Sequence, residues 1–200
     1  DKAKSKDIAK SNGVLTPKWQ LIFNKEEEIK IKLPFVVKPN DQGSTVGLSI
    51  VQSDIGIKSA IDKAFQYGEE VIIEKFISGK ELTIPIVGST ALPVVEIKPS
   101  NEFYDYECKY TPGMSKYVCP AELDSSIVSL IESNTNILFE AFGCSVYARA
   151  DYILDNSGQA YFLEMNTLPG MTSTSLVPKS ANASGIAFVK LISDIINLSL

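Results

Sequence analysis

Two short strings towards the end of the chain, Arg149-Ala150-Asp151 and Glu164-Met165-Asn166, hold polar groups that strand periodicity can gather. Between them run Tyr152-Ile153-Leu154, the turn-like Asp155-Asn156-Ser157-Gly158, and Gln159-Ala160-Tyr161-Phe162-Leu163. This reads as a β-hairpin closed by polar turn residues. Pairing Asp155 with Ala160 sets Asp151 opposite Glu164 and Arg149 opposite Asn166. Side chains alternate along a strand, so these polar groups share one face. Ala150, Tyr152, Leu154, Tyr161, Leu163 and Met165 then share the other as a packed layer. Two facing carboxylates repel, and a divalent cation between them removes the repulsion. Oxygen ligands from Asp, Glu and Asn suit a hard ion such as Mg²⁺, which is commonly bound by one or two carboxylates together with substrate phosphates. The plain alternative is a solvated strand face with an Arg–Asp surface pair, against which stands the poor strand propensity of Asp and Asn.

A second group of residues suits phosphate. Lys38 ends the strand-like Pro34-Phe35-Val36-Val37 and leads into Asn40-Asp41-Gln42-Gly43-Ser44-Thr45-Val46-Gly47. Glycines let backbone N–H groups approach phosphate closely, and a nearby lysine adds charge. No Gly-Lys-Ser/Thr follows, so this is not a Walker A loop, and a plain hairpin loop accounts for it equally well. Further on, the strand Val71-Ile72-Ile73-Glu74 runs into Lys75-Phe76-Ile77 and Glu81. The pattern changes there, and ligand clefts often form at such junctions. A strand edge can present Glu74 and backbone groups to a purine, and Glu81 can accept from ribose hydroxyls. The alternative is a solvated, charged linker.

The elements that must position these groups read as follows. A Lys-rich helix spans Asp1 to Ser11 and stops at Asn12-Gly13. Leu48 to Val51 is a strand, and Asp54 caps a helix with Ile57, Ala60, Ile61, Ala64 and Phe65 on one face. Leu82 to Val87 and Leu92 to Ile97 flank a tight turn at Gly88-Ser89. Residues 99 to 121, with four tyrosines, form a long irregular segment of the kind that serves as a lid. Asp124 begins a helix with Ile127, Leu130, Ile131, Leu138 and Phe142 inward. A Thr/Ser/Pro/Gly loop over 167–180 precedes a last helix whose stripe is Phe188, Leu191, Ile192, Ile195 and Ile196. The fold class is α+β, with a boundary near residue 76 dividing a unit 1–76 from a unit 77–200.

Bulk properties narrow the chemistry. With 200 residues the chain can build a sizeable core. Nineteen basic against 24 acidic residues give a net charge of −5, and the basic ones are dispersed, leaving no footprint for nucleic acid. No apolar run reaches the ~18 residues of a membrane span, and the polar start shows no signal peptide. The chain has no histidine, so a zinc site and Ser/His or Cys/His nucleophiles are not expected. Cys108, Cys119 and Cys144 lack CxxC spacing and read as free cytoplasmic thiols. The opening at Asp1, without methionine and inside a helical segment, is what part of a longer protein would show.

Taken in order, Lys38-Pro39 with Gly43-Ser44, Glu74-Lys75-Phe76 with Glu81, Tyr104-Asp105-Tyr106-Glu107 with Lys109-Tyr110, Arg149/Asp151, and Glu164-Met165-Asn166 followed by Pro169-Gly170-Met171-Thr172 form a specific set. The chain resembles the D-alanine–D-alanine ligases, ATP-grasp enzymes of peptidoglycan synthesis, from its first residues to its last helix. The resemblance implies an ATP-grasp fold, two α+β subdomains gripping ATP, with residues 99–121 as lid. It implies that Lys2, Lys38, Lys75 and Lys109 contact the nucleotide or its phosphates. Glu74 and the Ile77 backbone would hold adenine, and Glu81 the ribose. Asp151, Glu164 and Asn166 would bind two Mg²⁺ (or Mn²⁺) ions. Arg149 and the Gly170 amide would stabilise an oxyanion, and Ser175 with the Leu176 amide would receive the carboxylate of the second D-alanine. Ser44 and Tyr110 would order the substrates. A cytoplasmic homodimer is implied for the full-length enzyme. Two departures stand out: Thr174 occupies a position where many members carry histidine, and the family's N-terminal domain, with the glutamate that meets the first D-alanine, is expected to be absent. A D-alanine–D-lactate ligase is the nearest alternative; Tyr110 argues against it, because depsipeptide-forming relatives commonly carry phenylalanine there. A non-catalytic ATP-binding fragment is another.

Overall fold

The computed structural model describes residues 1–99 and 115–200. Helix α1 (Lys2–Ser11) starts at Asp1, whose carboxylate accepts from the Lys4 amide at 2.9 Å, and ends at Asn12. Ala3, Lys6 and Ala9 form its buried face.

Two antiparallel sheets follow. The first contains β1 (Trp19–Ile22), β2 (Phe35–Pro39), β3 (Ser49–Val51) and β4 (Val71–Lys75) in the order β1-β4-β2-β3. Helix α2 (Ile57–Ala64) lays Ala60, Ile61 and Ala64 on Ile22, Phe35, Val37 and Ile73. The expected cap at Asp54 is corrected: Asp54–Gly56 is a 3₁₀ turn, and Gly56 occupies the N-cap of α2 without a side-chain hydrogen bond.

The second sheet runs β10-β9-β5-β7-β8, with β6 paired to β5. Its strands are β5 (Gly79–Val87), β6 (Thr90–Ala91), β7 (Val95–Pro99), β8 (Ser115–Val118), β9 (Tyr147–Asp155) and β10 (Ala160–Asn166). Helix α3 (Ser125–Ala141) buries Ile131 and Leu138 against Leu82, Ile84, Ala150, Tyr152 and Phe162. Helices α4 (Leu176–Ala183) and α5 (Phe188–Ser199) close a smaller cluster around Leu92, Val177, Ala181 and Leu191. Among the described residues no single helix is long and apolar enough to cross a membrane, and Cys119 and Cys144 are free thiols. Cys108 lies outside them.

The sheets meet where β4 gives way to β5. Gly79 is compulsory at that crossing, because a Cβ there would lie 2.0 Å from the Leu154 carbonyl oxygen. Helix α1 packs on the second sheet through Ala9, which joins the Leu82–Phe162 core together with Val14 beyond the helix's end.

Several sequence expectations need correction. Pro99 and residues 115–118, expected inside an irregular lid, belong to the paired strands β7 and β8; residues 100–114 lie outside the described residues. Leu130, expected inward, is 45% exposed. The hairpin deviates more instructively. Ala160 pairs with Leu154, not Asp155, so Ala160 and Phe162 face the core while Tyr161 stays outside. A bulge between Phe162 and Glu164 then shifts the register by one, restoring Asp151 opposite Glu164 and Arg149 opposite Asn166.

Candidate functional site

The polar face of the hairpin forms as the sequence implies. Arg149 Nε donates to Asp151 Oδ1 at 2.9 Å and Nη2 to Oδ2 at 2.8 Å, a two-point guanidinium–carboxylate contact. Thr83 stands opposite Asp151 on β5 and donates its hydroxyl to Oδ1 at 2.5 Å. Thr83 is fully buried and escaped the sequence reading, since a lone threonine in a strand carries no signal until its neighbour is known. An ionised carboxylate offers roughly four acceptor positions. Three are engaged here, leaving one on Oδ2 for a cation. Glu164 across the ladder and Asn166 two residues on add oxygen donors, so the set fits a hard ion. Among the described residues no three His, Cys, Asp or Glu side chains cluster; a cation here would complete its shell with Asn166, water or ligand oxygens.

The second part of the site is built around Glu74. It sits on β4 opposite Val36 of β2 and Trp19 of β1, buried to 3% exposure. Lys38 reaches its Oε1, and Lys6 lies 2.7 Å from its Oε2. Burial pushes the Glu74 carboxyl up, but Lys38 and Lys6 together outweigh it and hold it down at about 2. Burial and then Lys38 push the Lys2 ammonium below the ordinary lysine range, against the pull of Glu164, Glu74 and Asp41. Burial, against the pull of Glu74, also pushes Lys6 down. Lys6 also donates to Thr16, whose hydroxyl donates to the Phe162 carbonyl two residues before Glu164, so the two parts of the site are physically joined.

The loop after β2 is held tightly. Asn40, 2% exposed, donates to Glu70 Oε2 at 2.7 Å and to Asp1 Oδ1 at 3.2 Å. Its own side-chain oxygen accepts from the Ala3 amide at 2.8 Å. Lys2 donates to the Gln42 carbonyl, so α1 is anchored to this loop. Ser44 and Thr45 adopt left-handed φ of 51° and 60°, outlying for the β-branched Thr45. Strain of that kind clusters at ligand-binding loops.

Other expected residues are placed as follows. Lys75 donates to the Leu33 carbonyl at 3.0 Å, on the other side of β4 from Glu74. Ile77 is half-buried in the link between the sheets, and Glu81 is half-buried on β5 opposite Ile153. Ser175 caps α4, and Leu176 is that helix's first residue. The Ser175 hydroxyl oxygen accepts from the Thr172 amide at 3.0 Å. Gly170 packs beside it, where a Cβ would come within 2.9 Å of Ser175 Oγ. Lys109 and Tyr110 lie outside the described residues. Lys6 and Asn40 were missed: a lysine and an asparagine in polar segments look solvated until their partners on β4 and Glu70 are known.

A family model described as D-ala D-ala ligase C-terminus matches residues 8–197 of the chain. A D-alanine–D-alanine ligase of Methylacidiphilum infernorum is 44% identical over 100% of this chain and 65% of its own length. One from Citrifermentans bemidjiense is 41% identical over 96% of this chain and 63% of its own length. Among solved structures, a Bacillus anthracis D-alanine–D-alanine ligase complexed with ATP superposes with a TM-score of 0.85 at 37% identity, covering 100% of this chain and 66% of that one. The VanG D-Ala:D-Ser ligase of Enterococcus faecalis gives a TM-score of 0.89 at 31% identity, covering 100% and 61%. The chain spans just under two thirds of the length of these relatives.

Proposed function

This chain belongs to the D-ala D-ala ligase C-terminus family, with its α+β ATP-grasp fold, and from that premise we propose that it is the nucleotide-binding and catalytic part of an ATP-dependent D-alanine–D-alanine ligase. The observation that carries the reading is the chain of contacts from Glu74 through Lys6 and Thr16 to the Phe162 carbonyl of β10, the strand that sets Glu164 opposite Asp151. That arrangement suits a nucleotide whose polyphosphate extends from a base pocket towards a cation-binding face.

In this reading Lys2, Lys38, Lys75 and Lys109 engage nucleotide or phosphate, Glu74 and the Ile77 backbone take adenine, and Glu81 takes ribose. Asp151, Glu164 and Asn166 hold two Mg²⁺ (or Mn²⁺), which when bound neutralise charge on the transferring phosphoryl group. The carboxylate of the first D-alanine attacks the γ-phosphorus, and ADP leaves. The amine of the second attacks the resulting acylphosphate carbonyl, and phosphate leaves as the amide forms. Arg149 and the Gly170 amide stabilise the oxyanion of the intermediate. The Ser175 hydroxyl and the Leu176 amide, at the positive end of α4, receive the second carboxylate. Ser44 and Tyr110 order the substrates. The same reading takes the full-length enzyme as a cytoplasmic homodimer making a peptidoglycan precursor.

The test is turnover by the full-length protein. With ATP, Mg²⁺ and D-alanine it should release ADP and phosphate and form the dipeptide. Glu164→Gln should abolish most of that turnover and weaken Mg²⁺-dependent ATP binding by calorimetry; wild-type behaviour in both would overturn the cation assignment. The similarity to a D-Ala:D-Ser ligase favours one variation, a different second substrate. Competition among D-alanine, D-serine and D-lactate, read as product ratio, decides it.

A further inference from the structure

Lys6 has no part in the assignments above, yet it is the most enclosed charged side chain among the described residues, with none of its surface exposed. Its ammonium lies 2.7 Å from Glu74 Oε2 and donates to Thr16 Oγ1 at 3.1 Å. The Thr16 hydroxyl donates in turn to the Phe162 carbonyl at 3.0 Å, and the Phe162 amide donates to the Leu15 carbonyl at 2.8 Å. Lys6 is therefore held in place from the second sheet while it neutralises a carboxylate on the first.

Glu74 consequently has two cations for one negative charge, and the two are not alike. The Lys6 side chain is fully enclosed, whereas that of Lys38, which reaches Oε1, keeps 13% exposure. One cation is enough to balance a buried carboxylate, so the cluster carries a surplus positive charge on the Lys38 side. Lys38 also ends β2 at the entrance to the Asn40–Gly47 loop, where the function proposed above needs it on a phosphate. To reach a phosphate, Lys38 must release Glu74. Were it the sole partner, that release would strand a charge in a low-dielectric interior, which is strongly unfavourable.

We propose that Lys6 is a positioning residue, the standing counter-ion of Glu74, which frees Lys38 to exchange that carboxylate for a phosphate of the nucleotide. Lys6 touches neither nucleotide nor substrate in this scheme and acts through Glu74. The proposal rests on the reading of Lys38 as a phosphate contact.

A double-mutant cycle in the full-length protein tests it, with ATP and inorganic tripolyphosphate as probes. Lys6→Met leaves Lys38 as the only cation on Glu74, so affinity for both probes should fall by about tenfold or more. Glu74→Gln removes the charge that needs balancing, so adding Lys6→Met to that variant should change either affinity by less than about twofold. Unchanged binding by Lys6→Met overturns the proposal. So does an equal loss in both backgrounds, which would make Lys6 a simple prop, or a loss for ATP but not tripolyphosphate, which would place its effect at the base. If Lys6→Met alone does not fold, Glu74→Gln and Lys6→Met/Glu74→Gln still decide: unequal affinities between them reject the scheme. Failure of the unaltered protein to bind ATP would overturn the nucleotide reading itself, whereas ATP binding indifferent to Lys6 overturns only the counter-ion role.

Discussion

Glu74 and Glu96 both lie on interior strands, both are almost fully buried at 3% and 4% exposure, and both stand between two lysines. The lysines differ. Those of Glu96, Lys80 and Lys98, are each 46% exposed and sit 3.5 and 3.6 Å from the carboxylate, with their heads in water. Those of Glu74 are 0% and 13% exposed, with Lys6 at 2.7 Å. A buried carboxylate on a strand is therefore not in itself a site. Burial of its cations makes the cluster preorganised, because charges that cannot relax into solvent must be balanced in place.

The sharpest way to break this contrast is to neutralise each glutamate in turn. Glu74→Gln leaves two enclosed lysines without a carboxylate and should cost about 3–5 kcal/mol of stability, as broken buried pairs do. Urea unfolding at neutral pH measures it, and a loss below 1 kcal/mol would make the two clusters equivalent.

Acid should weaken the Glu74 cluster next. The Glu74 carboxyl, held down at about 2, binds its proton less readily folded than unfolded. Its contribution is thus complete above the ordinary carboxylate range and disappears as pH falls towards about 2. Lys2 acts with the opposite sign: burial, then Lys38, lowers its pKa, so it costs stability while protonated, and that cost lifts as pH rises towards the ordinary lysine range. Stability against pH should show an acid limb that Glu74→Gln flattens.

A smaller effect tests whether enclosure also governs the hairpin. Thr83→Val keeps the shape beside Asp151 and deletes one hydrogen bond to a charged group, at a cost of about 1.5–3 kcal/mol. Crystallography of that variant should show Arg149 still paired with Asp151. A wild-type unfolding midpoint would mean that the Thr83 hydroxyl contributes nothing to holding the carboxylate.

The smallest effect belongs to Glu96→Gln. Loss of its exposed lysine partners should cost only about 0–1 kcal/mol, less again at high salt. A loss as large as that of Glu74→Gln would remove the distinction between them.

Much of the site was legible because its residues obey local rules. Asp151, Glu164, Arg149 and Asn166 meet across a hairpin whose turn residues announce it, and Lys38 ends a strand before a glycine-containing loop. What stayed hidden depends on distant partners. Lys6 belongs to a helix so rich in lysine that it reads as solvated, and only Glu74, far along the sequence, gives it an interior place. Trp19–Ile22 is a strand of four residues, too short for alternation to identify, and pairing with β4 creates it. Leu130 keeps the helical period expected of it but not the burial, since periodicity defines a face without saying what covers it. In the hairpin, strict alternation chose Tyr161 over Phe162 for the core because a bulge cannot be counted from sequence.

That bulge bears on how the chain can change in length. With Ala160 paired to Leu154, β10 begins in one alternation phase, and it finishes in the other once Leu163 has been passed. Deleting Leu163 would merge the two phases: Phe162 would stay inward, and the glutamate and asparagine that follow would still stand opposite Asp151 and Arg149. Deleting Tyr161 instead would keep the glutamate in register but turn the phenylalanine out of the core. Position 163 is thus the point in the strand where a one-residue gap does least harm, and where insertions and deletions should collect as such hairpins diverge.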